Sequence, residues 1–151
     1  MRIVIQKVSQ ASVVVEAKVV SSIKRGYMLL VGISTNDTED DVTKLANKVC
    51  TLRLFEDEQN NQLWKKNIKE VDGSILSVSQ FTLYAKTKKG TKPDFHKAQK
   101  GHIAKDLYSF FLKLLKESLG EDKVQDGVFG AMMSCSLTNE GPTTILLDSE
   151  E

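Results

Sequence analysis

Four runs rich in valine and isoleucine fill the first 33 residues: Arg2–Ser9, Ser12–Glu16, Lys18–Ile23 and Tyr27–Ile33. Short polar or glycine breaks separate them, so the chain opens as a β-meander. Asn36 and Asp37 then offer N-caps, Glu39, Asp40 and Asp41 load a first turn with negative charge, and Val42, Leu45, Ala46 and Val49 recur at helical spacing. Residues 38–51 are therefore expected to form a helix with one buried stripe.

Further along, Leu52–Phe55 reads as a strand that ends in the polar turn Asp57–Asn61, and Ser74–Leu83 is the next β-like run, with Trp64 packed between them. Lys86–Asp94 holds Lys86, Lys88, Lys89 and Lys92 around Gly90 and Pro93, a composition for a solvated loop. A second helix starts at Lys97 or Gly101 and runs to Leu119. It carries Ile103, Leu107, Phe110, Phe111, Leu114 and Leu115 on its apolar face and Gly120 as its stop. The remainder returns to β structure: Val124–Phe129 around an Asp-Gly turn, Ala131–Thr138, a break at Asn139–Pro142, and Thr143–Asp148. Two helices among so many consecutive strands argue against an alternating βαβ sheet. The expected fold is α+β, with layered, barrel-like antiparallel or mixed sheets and both main helices on one side.

At 151 residues, with 40% hydrophobic and 27% charged side chains, the chain has the size and composition of one globular domain, residues 1–151. Its net charge of +1 supplies no whole-molecule field for nucleic acid, so any polyanion site must be local. The apolar run Tyr27–Ile33 is far shorter than the ~18 residues of a membrane helix. Gln6 and Lys7 interrupt any signal-peptide core and Glu16 argues against a transit peptide, so a cytoplasmic protein is expected. Cys50 and Cys135 stand apart in apolar patterns that suit buried free thiols. His96 and His102 are off the i, i+4 spacing of a helical zinc pair and have no acidic or thiol partner at ligand spacing, so no metal is assigned.

Spacing alone yields no dinucleotide fingerprint, P-loop, GxSxG elbow, triad or carboxylate pair. Three segments carry more: Ser79-Gln80-Phe81-Thr82-Leu83, Gly127-Val128-Phe129-Gly130-Ala131-Met132-Met133 and Asn139-Glu140-Gly141-Pro142-Thr143-Thr144. With the opening Ile5-Gln6-Lys7-Val8 and Ala11-Ser12-Val13, their order and spacing resemble the D-aminoacyl-tRNA deacylases, the D-tyrosyl-tRNA deacylase family, over essentially the whole chain. The resemblance implies a homodimer that uses neither metal nor cofactor. Its implied reaction is hydrolysis of the ester between a D-amino acid, or glycine (including glycine mischarged on the tRNA for alanine), and the 3′-terminal adenosine of tRNA. An aminoacyl ester is already activated, so backbone N–H groups that hold a developing oxyanion and a placed water are enough.

In that reading Ser79, Gln80, Phe81 and Thr82 form the catalytic floor, with the N–H groups of Phe81 and Thr82 as oxyanion donors and Gln80 orienting the ribose or the ester carbonyl. Thr82 as a nucleophile is the competing reading, but a threonine hydroxyl needs an adjacent base and neither His nor Lys is paired with it locally. Phe129 and Met133 are implied to line the adenosine pocket; the lysine-rich loop has two readings from its residues alone, a solvated loop or a contact to tRNA phosphates. Gly141-Pro142 is implied to be a cis peptide that reaches into a partner subunit's site and excludes L side chains. Lys7 stands where most relatives carry Arg, Thr143 where Val is usual, and Lys65-Lys66 where small polar residues are expected. Lysine offers point-like donors in place of a planar fork, so Lys7 is the residue expected to hold the Gly-Pro loop less firmly. Two other classes fit the same fold: a non-catalytic nucleic-acid-binding module and an L-aminoacyl-tRNA editing domain.

Overall fold

A computed structural model describes all residues, Met1–Glu151. Its spine is β1 (Arg2–Val15), one continuous strand of 14 residues where the sequence suggests two. Burial along it runs Ile3, Ile5, then Val8, then Ala11, Val13, so the alternation slips twice, and the ladder to β6 (Ser134–Asp148) shifts register at the same two places, between Gln6 and Val8 and between Val8 and Gln10. Bulges of this kind bend a strand without ending it, which is how one strand serves both halves of the sheet. Arg2–Val8 pairs with β3 (Gly26–Gly32) and Ala11–Val15 with β2 (Lys18–Ile23), both antiparallel.

The order is β2-β1-β3-β4-β5, with β6 along β1. The strands β4 (Ser74–Ser79) and β5 (Val124–Asp126) continue the sheet in parallel, β4 beside β3 and β5 beside β4. Each parallel step is made through a helix, α1 (Glu39–Thr51) and then α2 (Gly101–Leu119). The mixed sheet with two helices agrees with the expected α+β class, but the two crossovers are βαβ-like units that the strand count had argued against. Their signature was the unbroken apolar run Tyr27–Val31. Such a run suits a parallel strand covered on both faces, and here Tyr27 and Leu29 face a cluster of 21 buried residues shared with both helices while Met28 faces a second cluster of 7. Strand β2 curls back toward β4 and β5, where the Ser22 N–H donates to Gln125 Oε1 at 3.0 Å, and the sheet is nearly closed. Neither helix is long and apolar enough to cross a membrane.

Both helices lie close to their expected bounds, with different ends and faces in detail. Thr38 caps α1, its N–H donating to Asp41 Oδ2 at 2.9 Å. Asp37 is held elsewhere: it accepts from the Ser34 N–H at 2.7 Å and from the α-amino group of Met1. The buried stripe of α2 is Ala104, Tyr108, Phe111, Leu112 and Leu115, whereas Ile103 faces solvent. Leu52–Phe55 is not a strand; only Phe55 makes an isolated bridge, to Lys66. Trp64 is 54% exposed at a positive φ, so the turn carries its ring outward and not into the core. Cys50 is buried, but Cys135 is exposed on β6. That strand has no buried residue in the single chain, and Leu146 on it is 74% exposed.

Candidate active site

Strand β4 stops at Ser79 because the chain turns there. The Gln80 N–H donates to the Val31 carbonyl at 2.7 Å, and Phe81–Tyr84 then form a single 3-10 turn, so the expected strand Ser74–Leu83 is half strand and half turn. Gly32 makes room for this: a Cβ on it would lie 2.9 Å from the Leu83 Cβ and 3.1 Å from the Gln80 carbonyl oxygen. From the other side the Arg2 guanidinium donates to the Leu83 carbonyl at 2.9 Å and lies over the Tyr84 ring. The turn is thus clamped to the sheet, with its first N–H groups ahead of any bond in its own ladder. The Gln80 Nε2 donates to Thr82 Oγ1 at 2.5 Å.

Above the turn opens a cavity of about 440 Å³. Ser79, Gln80 and Phe81 form one side, and Phe129 and Gly130 from the loop after β5 another. Phe95, Ala98, Gln99 and Lys100, on the segment leading into α2, complete it. The Phe81 ring meets Phe95 edge-on, with centroids 5.0 Å apart, and Phe129 leans on the buried Tyr108 ring at 5.9 Å. Tyr108 is itself fixed: its hydroxyl donates to Asp126 Oδ1 at 2.6 Å and lies 3.0 Å from Ser77 Oγ. Burial, and then the neighbouring Asp126 charge, push the Tyr108 phenol far above its ordinary range. Desolvation also raises the Asp126 carboxyl, against the hydrogen bond from Tyr108.

Of the residues singled out in the sequence, Ser79, Gln80, Phe81 and Phe129 meet at this cavity. Thr82 lies one step along the turn, exposed and joined to Gln80. Met133 sits behind the loop: its sulfur accepts the Val128 N–H at 3.4 Å, and its side chain packs on the smaller core cluster. Phe95 and Gln99 were missed, because a lone aromatic in a polar segment gives no periodic signal.

Gly141 and Pro142 do not reach the cavity within one chain. They line a separate depression of about 460 Å³ with Lys7, Leu63, Trp64 and Thr143. The Gly141-Pro142 peptide is cis. Gln6 pairs with Thr144 and Val8 with Asn139, so Glu140–Thr143 loop out of the β1–β6 ladder. Gly141 has φ +128°, and a Cβ there would collide with the Thr143 hydroxyl and approach the Thr143 nitrogen to 2.8 Å, so only glycine fits. Lys7 lines the depression but does not hold the loop by hydrogen bonds. Its Nζ donates to Glu56 Oε2 at 2.8 Å, above the Phe55 ring. That hydrogen bond keeps the Glu56 carboxyl below its ordinary range. The loop is closed by Asn139, whose Oδ1 accepts the Thr143 N–H at 2.7 Å and whose Nδ2 donates to Thr144 Oγ1 at 3.0 Å.

A nearly closed mixed sheet, two helices on one side and an aromatic cavity over a tight turn at a strand end define a class that the comparisons with known proteins identify as tRNA-directed hydrolases. A family model described as D-Tyr-tRNA(Tyr) deacylase matches residues 4–148. The chain is 74% identical over 151 residues to a D-aminoacyl-tRNA deacylase of Saccharomyces cerevisiae and 51% identical to one of Bacillus pumilus, each match covering the whole of both chains. Among solved structures, a c-Myc DNA unwinding element binding protein superposes with a TM-score of 0.93 at 40% identity, covering 98% of each chain. A probable eukaryotic D-amino acid tRNA deacylase shares the fold at TM-score 0.85 and 19% identity, covering 97% of each. The chain belongs to the D-Tyr-tRNA(Tyr) deacylase family, and it is a hydrolase.

Proposed function

We propose that the chain hydrolyses the ester of D-aminoacyl-tRNA, and of glycyl-tRNA, while refusing L-aminoacyl esters. The observation that carries this reading is the aromatic cavity opening directly onto the Ser79–Thr82 turn. Phe81, Phe95 and Phe129 offer ring faces and edges to a purine, and the 3′-terminal adenosine of tRNA is the purine whose ribose carries the ester. With the base seated there, the ester carbonyl lies over the turn. Water attacks the carbonyl carbon, and the N–H groups of Phe81 and Thr82 hold the oxyanion. The bond to the ribose oxygen then breaks, and that oxygen takes up the proton the water gives. The products are free amino acid and tRNA. Gln80, tied to Thr82, orients the ribose.

Chirality is read by exclusion. A stiff Gly141-Pro142 loop that faces the substrate's Cα leaves room for hydrogen and none for an L side chain, so glycine passes and D side chains point away. Within one chain this loop is apart from the cavity, which is what a gate acting on a partner subunit requires. The uncovered strand β6 and the exposed Leu146, Leu63 and Trp64 support a homodimer as the working form. No step calls for a metal or cofactor, and the place of work is the cytoplasm, where aminoacyl-tRNA is used.

A second reading is favoured by one relative: the 40% identical structure is that of a c-Myc DNA unwinding element binding protein, so nucleic-acid binding without catalysis is a role this fold can serve. Incubation with D-tyrosyl-tRNA decides between them. Stoichiometric excess release of D-tyrosine supports the deacylase, and binding without turnover supports the module.

A further inference from the structure

The net charge of +1 conceals an uneven distribution. Between Lys86 and Lys105 the chain holds seven lysines and one acid, Asp94, leaving 14 basic and 19 acidic residues for all the rest. Every one of these seven lysines is exposed. No ammonium group of this segment is in an ion pair, as for all lysines elsewhere but Lys7, Lys116 and Lys123, and the segment's one carboxylate, Asp94, is taken by His96. The segment is nevertheless fixed. Lys86 and Asp94 exchange backbone hydrogen bonds at 2.7 and 2.9 Å, the Thr35 N–H donates to the Lys97 carbonyl at 3.0 Å, and the Gln99 N–H to the Ile33 carbonyl at 2.8 Å. Its second half supplies Phe95, Gln99 and Lys100 to the cavity wall.

We infer that Lys86–Lys105 is the track for the phosphates of the tRNA acceptor end that precede the terminal adenosine, with Lys88, Lys89 and Lys92 contacting the backbone beyond the cavity mouth. This rests on the deacylase reading, since it takes the adenosine to fill the cavity. A polyanion whose end unit sits between Phe95 and Phe129 leaves over a wall of unpaired ammonium groups held on a rigid frame, and each phosphate neutralised there releases counterions. The remaining, net acidic surface repels the same strand and so keeps it on this side.

The test is binding of uncharged tRNA from 50 to 200 mM salt by the full chain and by the Lys88→Ala/Lys89→Ala/Lys92→Ala variant. Turnover of D-tyrosyl-tRNA and of D-tyrosyl-adenosine, which has no stem, is measured alongside. The expected variant binds tRNA with a slope of log affinity against log salt shallower by about 2 to 3, loses D-tyrosyl-tRNA turnover in parallel at low salt, and keeps the native rate on D-tyrosyl-adenosine. A charge-matched Lys44→Ala/Lys48→Ala/Lys113→Ala variant keeps the native slope. An unchanged slope in the first variant, or an equal slope change in the second, overturns the track. Because uncharged tRNA binding needs no catalysis, failure of the deacylase reading shows separately, as native protein that turns over neither ester.

Discussion

Asn139 closes the Gly141-Pro142 loop onto itself: its Oδ1 accepts the Thr143 N–H at 2.7 Å while its Nδ2 bonds the Thr144 hydroxyl. One side chain thereby fixes both the residue that crowds Gly141 and the point where the strand rejoins β1. Within the single chain the bonds that close the loop come from Asn139, and the Lys7 ammonium beside it donates to Glu56. Asn139→Ala is expected to lose about 0.5–1.5 kcal/mol of stability and to raise L-tyrosyl-tRNA hydrolysis relative to the D-form, whereas Lys7→Arg keeps the native ratio. Urea unfolding and paired D and L rates check this, and an unchanged ratio for Asn139→Ala would remove it from the gate.

Thr82→Val separates a backbone site from a nucleophilic hydroxyl. The substitution keeps the N–H and removes Oγ1 with its bond to Gln80, so a loss within about tenfold in kcat is expected on the oxyanion reading. A fall of many thousandfold in folded protein, or a trapped acyl ester on native Thr82, would make the hydroxyl the nucleophile.

Tyr108 joins α2 to β4 and β5 and backs Phe129. Tyr108→Phe keeps the ring but leaves Ser77 and Asp126 without their partner, a cost of about 1–3 kcal/mol. Equilibrium unfolding measures it. A loss below about 0.5 kcal/mol would mean that water replaces the hydroxyl fully.

Glu56 gives the stability a pH dependence of known sign. Its folded pKa is depressed by the hydrogen bond from Lys7, so its contribution is complete above the ordinary glutamate range and disappears as the pH falls through the depressed value. The pair is partly exposed, and the contribution is below about 1 kcal/mol. Stability of Glu56→Gln measured between about pH 3 and 6 is expected to fall less steeply with acid than that of the native chain; parallel curves would contradict it.

Much of this fold is written in local patterns, and the exceptions have physical causes. Alternating burial marks β1, and of its two register slips only the second, between Val8 and Gln10, lies beside the break expected after Ser9, because a bulge and a break both interrupt a period of two. Asp37 and Thr38 are both good caps by type, but Asp37 is taken by the Ser34 N–H and by the Met1 amino group from 36 residues away, which leaves the cap to Thr38. Ile103 falls within the helical stripe yet faces solvent in the turn beside the cavity mouth, where α2 begins. Cys135 has an apolar neighbourhood in sequence, but no second layer covers β6 in the single chain. At the site, the Ser79–Thr82 and Gly141-Pro142 segments stood out as motifs, while Phe95, Gln99 and the closing role of Asn139 depend on chain crossings that no local pattern encodes.

Initial rates on D-tyrosyl-tRNA and L-tyrosyl-tRNA, run side by side with one preparation, decide whether the chain hydrolyses the ester and refuses the L hand. Rapid release of D-tyrosine, release of glycine from glycyl-tRNA, and an L rate at the level of spontaneous hydrolysis are expected. Equal rates on the D and L esters would contradict that refusal.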